Sequence, residues 1–279
     1  MENEKRTNEE LPVPGKAFQL LSWAKQGQDI TARDDQYEFP TFLDAIKISR
    51  KKGFRFRLID SGTFMLSQLE WLVEAGADLY TSDEARSNFF ELELLNKACR
   101  RNGTILAYFH HGPFESREEE ELVSFSALQG LARSGAYFYL ADRERERDLQ
   151  RLNELAAACR QGGSWLVHYH FGLLELPLDE LAKNKVWFHF LDQRLKEIED
   201  RDQALDKMKS ALSRGLKLIL HVEKVLDYSS LEELMKAGAF VLFKSSLIDY
   251  RSPFKALEEK ARQRKLDFRA YYLYPDFLP

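Results

Sequence analysis

The feature of this sequence that most constrains its fold is a regular alternation of short strand-like runs with longer helical stretches. The short runs are rich in β-branched and aromatic residues, and the stretches between them have helical periodicity. This order predicts successive strand and helix units around a parallel sheet. Glycine precedes most of the runs, where it accepts the left-handed conformation of a helix C-cap at low cost. The seven glycines at these points are Gly53, Gly76, Gly103, Gly135, Gly163, Gly215 and Gly238.

The pattern predicts nine strands. They begin near Phe54, Ala77, Thr104, Ala136, Ser164, Lys185, Leu216, Ala239 and Leu266. The run FQLLSWA, near Phe18, is a candidate for a tenth. Because a TIM barrel has eight strands, we expect the N-terminal segment or the last strand to lie outside the closed barrel.

Two parts of the chain resemble each other, which supports this division into units. LLNKACRRNGTILAYFHHG aligns with LAAACRQGGSWLVHYHFG, and AGADLYTSDEAR resembles SGAYFYLADRER. Self-similarity of this kind is typical of a repeated unit, here a βαβα unit of about fifty to sixty residues. The first alignment sets Cys99 against Cys159, Gly103 against Gly163 and His110 against His170.

Parallel units wound in one hand predict an α/β fold, a TIM-like (β/α) barrel with an extra strand or N-terminal segment. Crossovers between parallel strands are right-handed, and every strand needs both faces covered. An open doubly wound sheet is the alternative. At this length one large domain is the default, so we expect a polar N-terminal tail over residues 1–16 and a single barrel domain over residues 17–279.

Charge and hydropathy exclude several classes of protein. With 279 residues and a net charge of -4, the chain has no strong field of either sign that would recruit nucleic acid or anionic lipid. It lacks the apolar run of a secretory signal or a membrane span, so we predict a cytoplasmic protein. Cys99 and Cys159 lie in helical stretches and are predicted to be buried thiols. The aromatic run AYYLYPDF, at residues 270–277, suits packing on the barrel or on another subunit, which keeps a homo-oligomer open.

Polar side chains gather where the predicted strands end. The loops at that end form the ligand site in barrels and in open α/β sheets, so we expect these side chains to meet in one cavity. The six histidines all lie there, at His110, His111, His168, His170, His189 and His221. Acidic residues share the position, at Asp60, Asp83, Asp142, Asp192 and Glu223.

Imidazoles and carboxylates that converge from several strands suit a divalent metal ion such as Zn, Mn or Mg. His168 and His170 form the sharpest feature, because residues two apart on a strand point to the same face. The alternative is that these histidines are interior barrel residues, each hydrogen-bonded to its neighbours. We predict His110, His168, His170 and His221 as metal ligands, with Asp60, Asp83, Glu223 and Lys224 as catalytic residues.

Two lysines at strand ends suggest a different chemistry. A desolvated lysine in a barrel mouth forms a Schiff base with a carbonyl substrate, which makes Lys224 and Lys244 candidates. Their alternative interpretation is as solvated lysines on the rim. Lys244 and Ser245 are also suited to hold a phosphate group of a small-molecule substrate, and Asp142 and Asp192 complete the predicted substrate-binding set.

Two segments resemble the polymerase and histidinol phosphatase (PHP) family of metal-dependent phosphoesterases. RLIDSGTFMLSQLEWLVEAGADLYTSDEAR is similar to that family's first strand, helix and second strand, and CRQGGSWLVHYHFG is similar to its Gly-Gly, apolar and histidine segment. The resemblance implies a metallo-hydrolase ancestry. It places Asp60, Asp83 and His168 at metal-ligand positions, with His221 or Glu223 in place of a late Asp-x-His.

The chain departs from the PHP pattern at two ligand sets. Asp60, Ser61 and Gly62 stand where the family has His-x-His, and Asp83 and Glu84 stand where it has Asp-His. We predict a metal-dependent hydrolase of a phosphoester or related small molecule, with its site at the carboxyl ends of the strands. One alternative is a catalytically inactive barrel that acts as a binding or scaffold protein, as in the non-catalytic protein subunit of ribonuclease P, which shares the fold of the PHP family. The other is a lyase or aldolase that uses one of the two lysines.

Overall fold

A computed structural model of the chain describes residues 14–114, 124–142, 148–172, 174, 177–222 and 226–243, together with Lys255. Nine strands alternate with nine α-helices in this part of the chain. The strands are β1 (Ile30–Arg33), β2 (Phe56–Ile59), β3 (Ala77–Ser82), β4 (Leu106–His110), β5 (Tyr137–Ala141), β6 (Leu166–His170), β7 (Trp187–Leu191), β8 (Lys217–Val222) and β9 (Phe240–Phe243). The helices are α1 (Pro14–Gln26), α2 (Phe39–Lys51), α3 (Leu66–Ala75), α4 (Phe89–Asn102), α5 (Phe125–Arg133), α6 (Leu149–Gly162), α7 (Leu178–Lys183), α8 (Arg201–Ser213) and α9 (Tyr228–Ala237), and a 3-10 helix spans Asp192–Glu197.

All nine strands form one parallel sheet whose spatial order is the chain order, and helices that follow each other in the chain pack together. One apolar cluster joins helix side chains to one face of the strands, whereas a second cluster is built from strand positions of the opposite face. The helices therefore cover an outer face, and the inner face packs on itself. This is an α/β fold of the TIM-barrel type, with the predicted extra strand beyond eight.

The described strands leave the barrel open between β1 and β9. Strand β1 pairs with β2 and β9 pairs with β8, but within the described residues these two terminal strands do not pair with each other. The inner positions of β1, Thr31 and Arg33, are exposed, whereas inner positions of the middle strands such as Tyr139 and Val167 are buried. The inner core is therefore centred on the middle strands.

Eight of the predicted strands are confirmed, and the N-terminal region differs from the prediction. The run FQLLSWA is helical and lies in α1, where Leu20 and Ala24, one helical turn apart, are fully buried. The interpretation of this run as a tenth strand is wrong. Strand β1 is missing from the prediction because only two of its four residues, Ile30 and Ala32, are apolar. The predicted strand near Leu266 lies outside the described residues, as does most of the predicted N-terminal tail.

The two cysteines have the predicted environment. Cys99 in α4 and Cys159 in α6 are free and buried, and burial raises the pKa of each thiol to about 12. Both thiols therefore pack as apolar groups. No helix in the described residues is long and apolar enough to cross a membrane.

All seven glycines predicted to end helices have a positive φ angle. Three of them, Gly76, Gly135 and Gly238, lie one or two residues before the first residues of β3, β5 and β9. At the matching point before β7 stands Lys185, whose φ is 54°. A side chain in this left-handed region is strained, because its Cβ approaches the following carbonyl oxygen.

Replacing Lys185 with glycine should therefore stabilise the protein. We expect Lys185→Gly to raise the free energy of unfolding by about 1 kcal/mol, since relief of the left-handed strain exceeds the entropy that glycine adds to the unfolded chain. Urea unfolding followed by circular dichroism measures the change. Lys183→Gly, at the last residue of α7, is the matched control and should lower stability. An equal loss in both variants would contradict the assignment of strain to Lys185.

Candidate metal centre

An aspartate follows each odd-numbered strand from β1 to β7, and its carboxylate accepts hydrogen bonds from the backbone that follows the next strand. We call this arrangement a carboxylate clamp. A clamp fixes the chain just beyond the residue that ends an even-numbered strand. Asp34 binds the N–H groups of Ser61 and Thr63, Asp83 those of His111 and Gly112, Asp142 that of Phe171, and Asp192 that of Leu226.

The clamp formed by Asp142 also contacts two imidazoles. His168 and His170 lie two apart on β6, and the Nε2 atom of His168 is 3.3 Å from Asp142 Oδ2. The Nδ1 atom of His170 is hydrogen-bonded to the same oxygen. The ligand atoms of these three residues all lie within 4.8 Å of one another. Among the residues that the structure describes, this is the group of three acidic, histidine or cysteine side chains close enough to hold a metal ion.

The environment of this group favours an ionised carboxylate. His168 and His170 are buried, and the Asp142 side chain is 10% exposed. Burial raises the pKa of Asp142, but the hydrogen bonds and charges of the two histidines outweigh it and hold this pKa well below its usual range. An ionised oxygen shared by two imidazoles is a suitable donor for a cation.

The clamp formed by Asp83 is a copy of this site with one imidazole. His110 Nδ1 lies 2.9 Å from Asp83 Oδ2, and His110 Nε2 is 3.1 Å from the carbonyl oxygen of Pro113. Burial raises the pKa of Asp83, but the hydrogen bonds from His110 and from the backbone of Gly112 outweigh it and lower this pKa. Tyr108 stands where β6 has His168. This copy therefore lacks the second nitrogen ligand.

Two further predicted site residues, Asp60 and Asp192, are buried and form contacts within the protein. Asp60 is buried in a bidentate ion pair with Arg86, whose Nε is 2.7 Å from Oδ2 and whose Nη2 is 3.2 Å from Oδ1. The Thr81 hydroxyl also donates to Asp60, at 2.8 Å. Asp192 is fully buried and forms a clamp. The catalytic role of Asp60 and the substrate-binding role of Asp192 stay predictions, as do the roles of Asp83 and Asp142.

The histidines do not meet in one cavity, so that expectation is wrong for the described residues. His168 and His170 contact Phe188, which belongs to the outer cluster with the helices. His189 and His221 lie on the inner face instead, where His189 packs on Tyr169 of the inner cluster with ring centroids 4.2 Å apart. His189 Nδ1 and His221 Nε2 are 2.9 Å apart and share a hydrogen bond.

Four predicted site residues lie outside the described residues, and two described residues near the clamps were not predicted. Glu223, Lys224, Lys244 and Ser245 lie outside the described residues, so their roles stay predictions. The sequence interpretation omits Asp34, which forms a clamp, and Arg86, which pairs with Asp60. Asp34 could not be identified from the sequence, because it follows β1 and that strand is itself missing from the prediction.

No protein-family model and no curated protein matches this chain. A tetrameric deoxyribose phosphate aldolase from Aeropyrum pernix is 14% identical, with 88% of this chain and 100% of the aldolase covered and a TM-score of 0.33. A D-psicose 3-epimerase solved in the presence of D-fructose is 14% identical, with 75% and 96% covered and a TM-score of 0.32. A phospho-2-dehydro-3-deoxyheptonate aldolase from Thermotoga maritima is 11% identical, with 75% and 68% covered and a TM-score of 0.32. Similarity at this level carries no argument about activity, which therefore rests on the geometry of the site.

The buried imidazole pair should make stability depend on pH. Burial lowers the pKa of His221 from 6.5 to about 4, and burial together with the neighbouring His221 lowers that of His189. Below pH 6.5 the unfolded chain therefore binds protons that the folded protein excludes, and stability falls as the pH falls. We expect the titration of His221 alone to lower the free energy of unfolding by about 2 kcal/mol when the pH falls from 7 to 5, as measured by urea unfolding at each pH.

The double variant His189→Gln, His221→Gln removes both titrating rings and should remove most of this pH dependence. His111→Gln, at a partly exposed histidine, is the matched control and should keep it. A pH dependence that persists in the double variant would show that other groups cause it.

Proposed function

We propose that this chain is a metal-dependent hydrolase of a phosphoester or related small molecule, and that Asp142, His168 and His170 hold its metal ion. The single observation that carries the proposal is the convergence of their three ligand atoms within 4.8 Å. The group lies at the carboxyl ends of β5 and β6, the end of the sheet where barrel enzymes place their active sites.

The donor set fits zinc best among Zn, Mn and Mg. Two imidazole nitrogens and one carboxylate oxygen are a ligand set of catalytic zinc sites, which keep a further position for water or substrate. Mg²⁺ prefers oxygen ligands and retains several waters. Imidazoles that supply two of the three ligands therefore favour a transition metal ion.

The protein holds these ligands in a defined orientation. The Oδ1 atom of Asp142 accepts the Phe171 N–H at 2.7 Å, which leaves Oδ2 directed at the two imidazoles. The ring of His170 packs against both Phe188 and Phe190, with centroid distances of 5.4 and 5.9 Å. Surrounding contacts of this kind raise metal affinity, because they fix ligands before the ion binds.

The chemistry of the proposal follows from this arrangement. A bound zinc ion supplies a water ligand with a pKa near neutrality and polarises an oxygen of the substrate. His168 and His170 would hold the ion, and because both are buried, bulk water does not reach these two ligands. The phosphoester substrate class rests on the resemblance to the PHP family at His168.

A second candidate is a catalytically inactive barrel. The observation that favours it is the Asp83 clamp, which repeats the aspartate, imidazole and backbone contacts of the Asp142 clamp with no second imidazole. Such a clamp stabilises a turn, so the same contacts at Asp142 are also explained by the fold alone. The lyase or aldolase alternative depends on Lys224 or Lys244 and stays a prediction.

Zinc titration of the metal-free protein tests the proposal. We expect one zinc ion per chain, and we expect His168→Gln to weaken zinc binding by more than about 100-fold because it removes a ligand. His110→Gln makes the same change at an equally buried histidine of the one-imidazole copy and should leave zinc affinity unchanged. Isothermal titration calorimetry and elemental analysis provide the measurements.

Two results would count against the proposal. Absence of stoichiometric zinc in the unmodified protein would remove the metal centre, and an equal loss in His110→Gln would show that the effect is not local. Hydrolysis is tested with a panel of phosphoesters and carboxylic esters in zinc, manganese and magnesium. Zinc binding without turnover on any of them would favour the inactive barrel.

A further inference from the structure

We infer that Gly172 is a positioning residue, which holds the imidazole of His170 against Asp142 by leaving room for the ring. The inference concerns the metal-free geometry, and its consequence for metal binding rests on the proposed function. Gly172 lies two residues beyond the end of β6, next to Phe171, whose N–H the Asp142 carboxylate binds.

The space beside Gly172 is taken up by the ring of His170. A Cβ atom added at Gly172 would lie 3.0 Å from His170 Cε1 and 3.5 Å from its Nε2. The φ angle of Gly172 is outside the left-handed region, so the backbone itself does not require glycine. Glycine at position 172 is therefore needed to leave room for the His170 ring and not to form the turn.

The ring of His170 has no easy way to retreat from an added methyl group. Its Nδ1 edge is hydrogen-bonded to Asp142, and Phe188 and Phe190 pack against it. Interiors of this density transmit a small displacement to the neighbouring groups. Alanine at position 172 would therefore shift or rotate the ring and disturb its contact with Asp142.

Other turns of the sheet provide the comparison. Gly112 lies beside His110 in a similar way, where an added Cβ would lie 3.3 Å from Cε1 of that ring and 3.3 Å from Asp83 Oδ2. At Gly62, where Asp60 follows the last residue of β2, φ is 87° and the nearest atom is a backbone oxygen. Glycine thus leaves room for an imidazole at positions 172 and 112, whereas the backbone conformation favours glycine at position 62.

The test compares Gly172→Ala with Gly112→Ala in the full chain. In zinc-free protein we expect Gly172→Ala to move the ¹⁵N resonances of the His170 imidazole, because its bond to Asp142 changes, while Gly112→Ala leaves them in place. In zinc titrations we expect Gly172→Ala to weaken affinity about 10- to 100-fold, the range found when groups that orient a ligand are altered, and Gly112→Ala to have no effect.

A double-mutant cycle keeps the inference testable if Gly172→Ala is poorly stable. With His170 present, Gly172→Ala should lower the equilibrium ratio of folded to unfolded protein at least several-fold. It should cost much less in the background of His170→Ala, because the clash is then absent. Equal costs in both backgrounds would overturn the inference.

The outcomes separate this inference from the proposed function. If the unmodified protein binds no zinc but the His170 resonances and the cycle respond as expected, the proposed function fails and the role of Gly172 stands. If the protein binds zinc and Gly172→Ala changes neither the resonances nor the affinity, the role of Gly172 is wrong and the proposed function stands.

Discussion

Charge-assisted hydrogen bonds from backbone N–H groups to aspartate carboxylates organise the carboxyl end of this sheet. Each joins the end of an odd-numbered strand to the turn after the next strand, as Asp142 does with Phe171 at 2.7 Å. Bonds to ionised groups contribute about 1.5 to 3 kcal/mol each. Because the turn is fixed, the last residue of the preceding strand is fixed as well. The candidate metal ligands inherit their position from this arrangement.

The aspartates at the carboxyl end of this sheet have three different sets of side-chain partners. After β2, Asp60 forms an ion pair with Arg86. After β3, Asp83 contacts the imidazole of His110, and after β5, Asp142 contacts the two imidazoles of β6. The metal centre that we propose is therefore one elaboration of a structural contact. It needs only a second histidine on a strand that already ends in one, which relates the site directly to the repeat.

The alternation of strands and helices and the glycines that end the helices can be predicted from the sequence, and so can the pairing of His168 and His170 on one face of a strand. The separation of His189 and His221 from that pair could not. Both faces of a parallel strand are buried, so its sequence is apolar throughout and does not tell which face meets the helices. The pairing of Asp60 with Arg86 was likewise hidden, because it joins residues 26 positions apart.

Strand β1 has a consequence for how this molecule behaves among its own copies. Of the described strands, it pairs with β2 only, which leaves its other side at the margin of the sheet. The N–H of Arg33 on this strand donates to the side chain of Gln36 at 3.2 Å, and the guanidinium pairs with Asp35 at 3.1 Å. A margin whose donor is satisfied internally and whose side chains are charged is a poor template for a foreign strand. These contacts disfavour the pairing of a strand from a second copy at this margin.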